Sequence, residues 1–315
     1  MTESATTAVA SPQGATLLRQ AAGSADAPGV PALTQSIAKV LLAKSPLHAW
    51  TEHPRLNPDY VAEEKDEFDF GEAAHDLLLE GGTGKICVIK PEDYRSKPTK
   101  ANPEGGIPKG WTNGAIRAAR DDARKNRLVP ILPWHEAQLL AMVKVARECI
   151  NDSEIAEAWN GGTSEVKLHW QEGSTHCRGR IDRLSHARNI IFDYKSTNNA
   201  NPEAFLRTII NLGYDVQDAF YRRGISAETK RDPKFVFLAQ EREAPFACSL
   251  VALDPAMQEM ADRKVSFAMA LWARCMETGR WSAYGNRIHY VEPPVWYAAQ
   301  AEDIDFDNMD EMANP

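Results

Sequence analysis

Hydrophobic positions along this chain change period several times, and each change marks an element. The run TQSIAKVLLAKSPLHAW, residues 34–50, reads as a capped helix, with Thr34 as N-cap, an Ile37, Val40, Leu41 stripe and a stop before Pro46. In DEFDFGEAAHDLLLEGG, residues 66–82, the apolar positions Phe70, Ala74, Leu77 and Leu78 recur at helical spacing, and Gly81-Gly82 ends the helix. Residues 135–150 repeat the helical period through Leu139, Met142, Val143, Val145 and Ala146. The period then drops to two. In SEVKLHW, residues 164–170, Val166, Leu168 and Trp170 share one face while Glu165, Lys167 and His169 share the other. Two further strand-like runs, 178–184 and 189–195, flank the polar turn Ser185-His186-Ala187-Arg188. Asn201-Pro202-Glu203 supplies a cap, an N1 proline and a first-turn acid for the next helix. Gly213 breaks it before a second helix carrying Gln217 and Tyr221, four apart and so on one face. Residues 235–240 and 246–251 predict two more strands, and 254–276 a long amphipathic helix.

Composition narrows the class. At 315 residues and 43% hydrophobic content the chain can bury a full core. No run approaches the ~18 apolar residues of a membrane span, and the first residues lack a charged segment followed by an apolar one. Residues 1–31, rich in Ala, Ser, Thr, Gly and Pro without apolar periodicity, predict a disordered leader; the acidic stretch 299–315 predicts a disordered tail or a partner-docking peptide. The cysteines Cys87, Cys149, Cys177, Cys248 and Cys275 are scattered without C-x-x-C spacing, which favours a reduced, cytoplasmic compartment over a disulfide framework or a zinc site. A formal net charge of −8 excludes a generally basic DNA-coating protein. A nuclease is not excluded, because its cations need only line one channel. The densest cationic segment is residues 113–127, with Arg117, Arg120, Arg124, Lys125 and Arg127; a phosphate-facing helix and a solvated charged face both fit it.

The chemistry concentrates in CRGRIDRLSHARNIIFDYKST, residues 177–197. On the second strand, Asp193 and Lys195 point to one side, about 7 Å apart, while Ile190, Phe192 and Tyr194 take the other. Asp182 ends the first strand, so the hairpin can bring Asp182 and Asp193 together beside the Lys195 ammonium. Paired carboxylates in an apolar strand are costly unless compensated. A hard divalent cation relieves that cost, and the lysine can then orient the attacking water or stabilise charge at phosphorus.

The motifs G-R-I-D, the eleven-residue step from Asp182 to Asp193, D-Y-K-S-T and the downstream Gln217 and Tyr221 resemble the PD-(D/E)XK nuclease superfamily. Within it the pattern is most similar to the RecE-like exonucleases (exodeoxyribonuclease VIII), relatives of lambda exonuclease, over residues 33–297. The resemblance implies an α/β fold with a central mixed β-sheet flanked by helices, in one nuclease domain spanning residues 32–298. It places His75, in a G-x-x-x-H context, and Glu165, ahead of Trp170 on its strand, at the metal site. Asp182 and Asp193 would hold metal with the Tyr194 carbonyl, Lys195 would activate water, and Gln217 and Tyr221 would touch DNA phosphate or fix the lysine.

The implied activity is Mg²⁺-dependent (Mn²⁺ as substitute), processive 5′-to-3′ digestion of one strand from a double-stranded DNA end. A 3′ single strand would be left for a single-strand annealing protein. The implied assembly is a homo-oligomeric ring, in the cytoplasm of a bacterial or phage-infected cell and away from membranes. The residues leave open an endonuclease, the opposite polarity, and a non-catalytic DNA-end-binding protein on a nuclease fold. The complete D…D-x-K set speaks against the last.

Overall fold

The computed structural model describes residues 30–61, 66–82, 84–100, 102–295 and 297–298, with the backbone alone at 66–69. The predicted leader, apart from Val30 and Pro31, and the predicted acidic tail lie outside the described residues.

Helix α1 (Gln35–Ala43) begins where the sequence predicts, with the Thr34 hydroxyl accepting the Ile37 amide at 3.3 Å. The break at Pro46 is brief. Ser45 caps a second short helix, α2 (Pro46–Thr51), whose N1 residue is that proline. Helix α3 (Asp66–Leu79) buries Ala73, Ala74, Leu78 and Leu79. Strand β1 (Ile86–Val88), the Asn113-capped helix α4 (Gly114–Lys125) and strand β2 (Val129–Ile131) follow, and β1 and β2 pair in parallel as a small separate sheet. Helix α5 (Pro133–Asn151) buries Leu139, Met142, Val143, Ala146 and Ile150, and the single turn α6 (Ala156–Asn160) leads into the main sheet.

That sheet has five strands in sequence order: β3 (Thr163–Glu172), β4 (Thr175–Ser185), β5 (Ile190–Thr197), β6 (Lys234–Glu241) and β7 (Cys248–Val251). All neighbours are antiparallel except β5 and β6, whose parallel pairing requires the crossover through α7 (Pro202–Leu212) and α8 (Tyr214–Thr229). Gly213, left-handed at φ 63°, closes α7 and opens α8 without the Cβ clash that another residue would meet there. The long helix α9 (Pro255–Thr278) starts at an Asp254 cap.

Helices cover both faces of the sheet, so the central strand β5 has core residues on each side. On one face Ile191, Phe235 and Phe237 pack with Leu41 of α1, Val216 and Phe220 of α8 and Trp272 of α9. On the other Phe192, Tyr194 and Leu238 pack with Ala74 of α3, Val143 of α5 and Trp159 of α6. This α/β architecture is the predicted one, a central mixed sheet flanked by helices. Helix α8 is fixed further by buried charge, since Arg222 pairs with Asp218 at 2.5 Å on its own helix and with Asp262 of α9 at 3.1 Å. The described residues through Trp281 form one compact body; those from Ser282 onward form a second, largely irregular in backbone.

Tyr221 of α8 lies against β4, and a Cβ built on Gly179 would stand 2.6 Å from its ring. The ring is 5% exposed and cannot swing away. Gly179→Ala should therefore destabilise the fold by about 1–3 kcal/mol, the usual range for overpacking, measured by urea denaturation. Pairing it with Tyr221→Leu should restore most of the loss. An unchanged midpoint in Gly179→Ala would show that the ring is not held against the strand.

Candidate active site

Strands β4 and β5 pair through only three positions: Ser185 with Ile190, Leu184 with Ile191, and Arg183 with Phe192. One step further the partners would be Asp182 and Asp193. There the ladder stops, β4 continuing with β3 and β5 with β6. The two predicted acids thus face each other at a fork in the sheet. The Tyr194 amide, released from the ladder, donates to Asp182 Oδ2 at 2.9 Å. The Tyr194 ring turns the other way, into the core, where its hydroxyl donates to Gln240 Oε1 at 2.9 Å.

Asp193 and Lys195 share a face, as strand alternation predicts, and their side chains form an ion pair. Gln217 Nε2 of α8 donates to Asp193 Oδ1 at 2.5 Å, so the glutamine fixes the aspartate that pairs with Lys195. Asp193 is 1% exposed. Burial pushes its carboxyl above the ordinary range; the Lys195 charge opposes this and the Asp182 charge adds to it. Burial would lower the Lys195 ammonium, but the Asp193 and Asp182 charges hold it above its usual value. Lys195 also lies over the Tyr214 ring, 4.8 Å from its centroid, and Lys39 of α1 lies 4.9 Å from the same centroid. Desolvation first, and then the Lys195 charge, lower Lys39 from 10.5 to about 8.

The second half of the site comes from α3 and β3. His75 Nε2 stands 3.2 Å from Asp182 Oδ1 and 3.4 Å from Glu165 Oε1, and Arg180 Nη1 pairs with Glu165 Oε2 at 2.9 Å. Burial works against the Asp182 carboxylate, but the His75 contact, the Lys195 and His75 charges and the Tyr194 amide hold it below the ordinary range. Burial would lower His75 as well; Asp182 and Glu165 hold it above its usual value. Glu165 sits within β3 at φ 57°, left-handed backbone that costs a side-chain-bearing residue about 1–2 kcal/mol. Its place in the ladder lies opposite Asp182, between the paired positions Ser164–Arg183 and Val166–Ile181. Strain of this kind clusters where a side chain must be aimed for function.

The donor chemistry fits a hard divalent cation. Asp182, Asp193 and Glu165 offer carboxylate oxygens and His75 one imidazole, a set that suits Mg²⁺ or Mn²⁺ better than a soft metal. Among these carboxylates, Glu165 Oε1 and Asp193 Oδ2 are buried oxygens that accept no hydrogen bond, the latter ion-paired with the Lys195 ammonium. Glu80, just past the end of α3, adds a ligand atom that sequence reasoning missed: His75, Glu80 and Glu165 present atoms within 4.8 Å of one another. The other omissions are Arg180, Lys39 and Tyr214. Arg180 was signalled by its spacing, two residues before Asp182 on one strand face; Lys39 and Tyr214 reach the site only through the tertiary fold.

The ring of Tyr221 packs on Gly179, so it supports β4 from α8. The arginines of α4 are largely engaged within the protein. Arg117 donates to the Trp111 and Thr112 carbonyls at 3.4 and 3.2 Å. Arg120 pairs with Asp121 at 2.8 Å, and Arg124 approaches the same carboxylate at 3.9 Å.

The family model described as a PDDEXK-like domain of unknown function (DUF3799) matches residues 36–294. Among solved structures, a candidate exonuclease from Eubacterium rectale, 12% identical, is similar over 94% of this chain and 99% of its own with a TM-score of 0.53. A phage-related exonuclease from Haemophilus somnus 129PT, 10% identical, covers 62% of this chain and 97% of its own, but its TM-score of 0.26 carries no argument. No curated protein matches the chain in sequence.

The crowding of Lys39 gives a test of the site's electrostatics. At pH 7 both folded and unfolded chains carry the Lys39 charge, and the folded state bears the full cost of its burial. Above pH 8 the folded chain releases the proton while the unfolded chain keeps it to about 10.5, so wild-type stability rises over that window. Lys39→Met should thus be more stable at pH 7, on the order of 1–3 kcal/mol, with the advantage fading between pH 8 and 10.5. Thermal melts across that range check it. A variant less stable at pH 7, or a gain independent of pH, would refute the crowding.

Proposed function

Because the chain belongs to the PDDEXK-like DUF3799 family, we propose that it is a divalent-metal-dependent DNA nuclease that hydrolyses phosphodiester bonds from duplex ends. The observation that supports this most is the fork, which sets Asp182 against Asp193 with Lys195 beside them. Asp182 and Asp193 would hold the cation, helped by Glu165 and His75. The N–H and C=O of one extended residue point to the same side of a strand, so the Tyr194 carbonyl shares the edge whose amide meets Asp182 and is a further donor. Bound there, Mg²⁺ would polarise the scissile phosphate and acidify a water.

The chain's own groups do the rest. Gln217 locks the Asp193 carboxylate, leaving Oδ2 directed at the Lys195 ammonium. Tyr214 supports that ammonium from below, so Lys195 is placed to orient the water and to stabilise charge developing at phosphorus. Lys39, crowded by Lys195, and Arg180, two-thirds exposed, are cations that an incoming phosphate would relieve. The finer reading follows the RecE-like pattern of Asp182, Asp193, Lys195, Gln217 and Tyr221. It comprises Mg²⁺ as the working ion with Mn²⁺ as substitute, processive 5′-to-3′ digestion, a 3′ single strand passed to an annealing protein, and a homo-oligomeric ring. Among the described residues no helix is long and apolar enough to cross a membrane.

Linear duplexes labelled at the 5′ or the 3′ end, run beside a covalently closed circle in Mg²⁺, Mn²⁺ and chelator, test the reading. Wild type should release nucleotides from the 5′ label first, spare the circle and stop in chelator. Asp193→Ala and Lys195→Ala should each lose at least about 10²–10³-fold in rate while melting as folded proteins. Near-normal digestion by either folded variant would sink the site, and efficient cutting of the circle would replace exonuclease with endonuclease.

A further inference from the structure

A cleft of about 980 Å³ is bordered by residues of the helix that carries His75 and of the chain just past the strand that carries Lys195, but by none of the residues in the chemistry above. Phe70, Trp111, Trp134 and His135 line it, with Asn198 and Arg242 on the sheet side. Both walls lead to the active site. Phe70 precedes His75 by five residues on α3, ~7.5 Å along the helix, and Asn198 follows Lys195 by three residues, ~10 Å along an extended chain. Helix and strand meet between them, since a Cβ on Gly71 would stand 3.8 Å from Ser196 Oγ. Two lining residues therefore stand ~7.5–10 Å along the chain from His75 and Lys195, two or three steps at the ~3.4 Å spacing of stacked nucleotides.

Its lining suits flat, aromatic guests. Phe70 meets the His135 ring edge-on at 5.6 Å, and His135 meets Trp134 edge-on at 5.8 Å. This array leaves Trp134 51% exposed at the mouth, so much of its surface contributes nothing to the core. Burial holds His135 below its ordinary pKa, which favours the neutral ring. The polar side is held in place: the Arg242 amide donates to Thr197 O at 3.1 Å, Gln138 Nε2 donates to Arg242 O at 2.6 Å, and the Arg242 guanidinium reaches Asn198 Oδ1. Glu241 and Glu243 also border the cleft. Carboxylates there repel phosphate, so bases are favoured inside and the sugar–phosphate backbone outside.

We infer that this cleft is a stacking subsite for unpaired nucleobases of the DNA strand whose phosphate reaches Asp182, Asp193 and Lys195. The inference rests on the nuclease reading for the identity of the strand. It implies that a duplex end must fray before it is cut, with the freed bases lodged among Trp134, His135 and Phe70. Aromatic platforms of this kind accept any base, because every base has a π-face.

Binding without turnover tests it. A fluorescein-labelled single-stranded oligonucleotide and a copy with three consecutive abasic positions are titrated by anisotropy in chelator, with wild type and with Trp134→Ala. Wild type should bind the normal strand at least about tenfold more tightly than the abasic one. Trp134→Ala, at an exposed position and checked by thermal melt, should lose most of that advantage while binding the abasic strand as wild type does. Equal wild-type affinity for the two strands, an equal loss on both in the variant, or no binding of either overturns the inference. The nuclease reading is judged separately by wild-type digestion of linear duplex in Mg²⁺. A protein that discriminates bases yet cuts nothing keeps this subsite and loses that reading, and one that cuts while ignoring bases does the reverse.

Discussion

A carboxylate 1% exposed in the middle of a sheet covered on both faces is the constraint from which the rest of the site follows. Desolvating an ion costs several kcal/mol unless neighbours compensate, and Asp193 has two, the Lys195 ammonium and the Gln217 amide. Each requires its own architecture. Lys195 needs β5 to run on two residues past the fork, which it does because β6 pairs with it in parallel through Thr197. Gln217 needs α8 laid flat on the sheet, which the left-handed turn at Gly213, the Arg222 ion pairs and the ring of Tyr221 on Gly179 together arrange. Removing one compensating partner would leave a buried charge exposed to the others, so sheet, crossover and site are one design.

The opposite side of the fork is held differently. Asp182 and Glu165 keep some solvent contact, and their compensation comes from His75 of α3 and Arg180 of β4. Here the backbone itself is strained, since Glu165 holds a left-handed conformation inside a strand. A relaxed strand would present Glu165 by simple alternation. The observed conformation instead carries its carboxylate to His75, with Oε1 left without a hydrogen bond. One acid is thus locked by packing and two are aimed by local geometry. That division suits a centre in which one ligand is fixed while others adjust to an arriving ion.

What the sequence showed and what it hid divide along the same lines. The helix caps at Thr34 and Asn201 were legible because capping is local. The hairpin was legible because a two-residue period and a polar turn fix its register, and that register alone puts Asp182 opposite Asp193. Strands β1 and β2 were hidden: three residues each, paired in parallel across some forty positions, carry no periodicity to read. Lys39 and Tyr214 were hidden because the contact that matters to them is with Lys195, on a different element. The α4 arginines stayed ambiguous for a related reason. A cationic helix looks the same in sequence whether its guanidinia face solvent or, like those of Arg117 and Arg120, return to the chain's own carbonyls and acids.

Charge ties these observations together. The chain carries a net charge of −8, yet around the fork the acids Asp182, Asp193 and Glu165 are answered by Lys195, Lys39, His75 and Arg180. The balance is uneasy, because burial disfavours the charges of Asp182, Asp193, Glu165, Lys195 and His75, and Lys39 is left well below its usual basicity. A cation among the acids and a phosphate among the bases would ease both strains at once, each arrival making the other more favourable. A cation alone would leave the bases crowded, and a phosphate alone would be repelled by the acids. Under the proposed function, a site with this arrangement would favour its two guests together, the coupling that hydrolysis of a metal-bound phosphodiester requires.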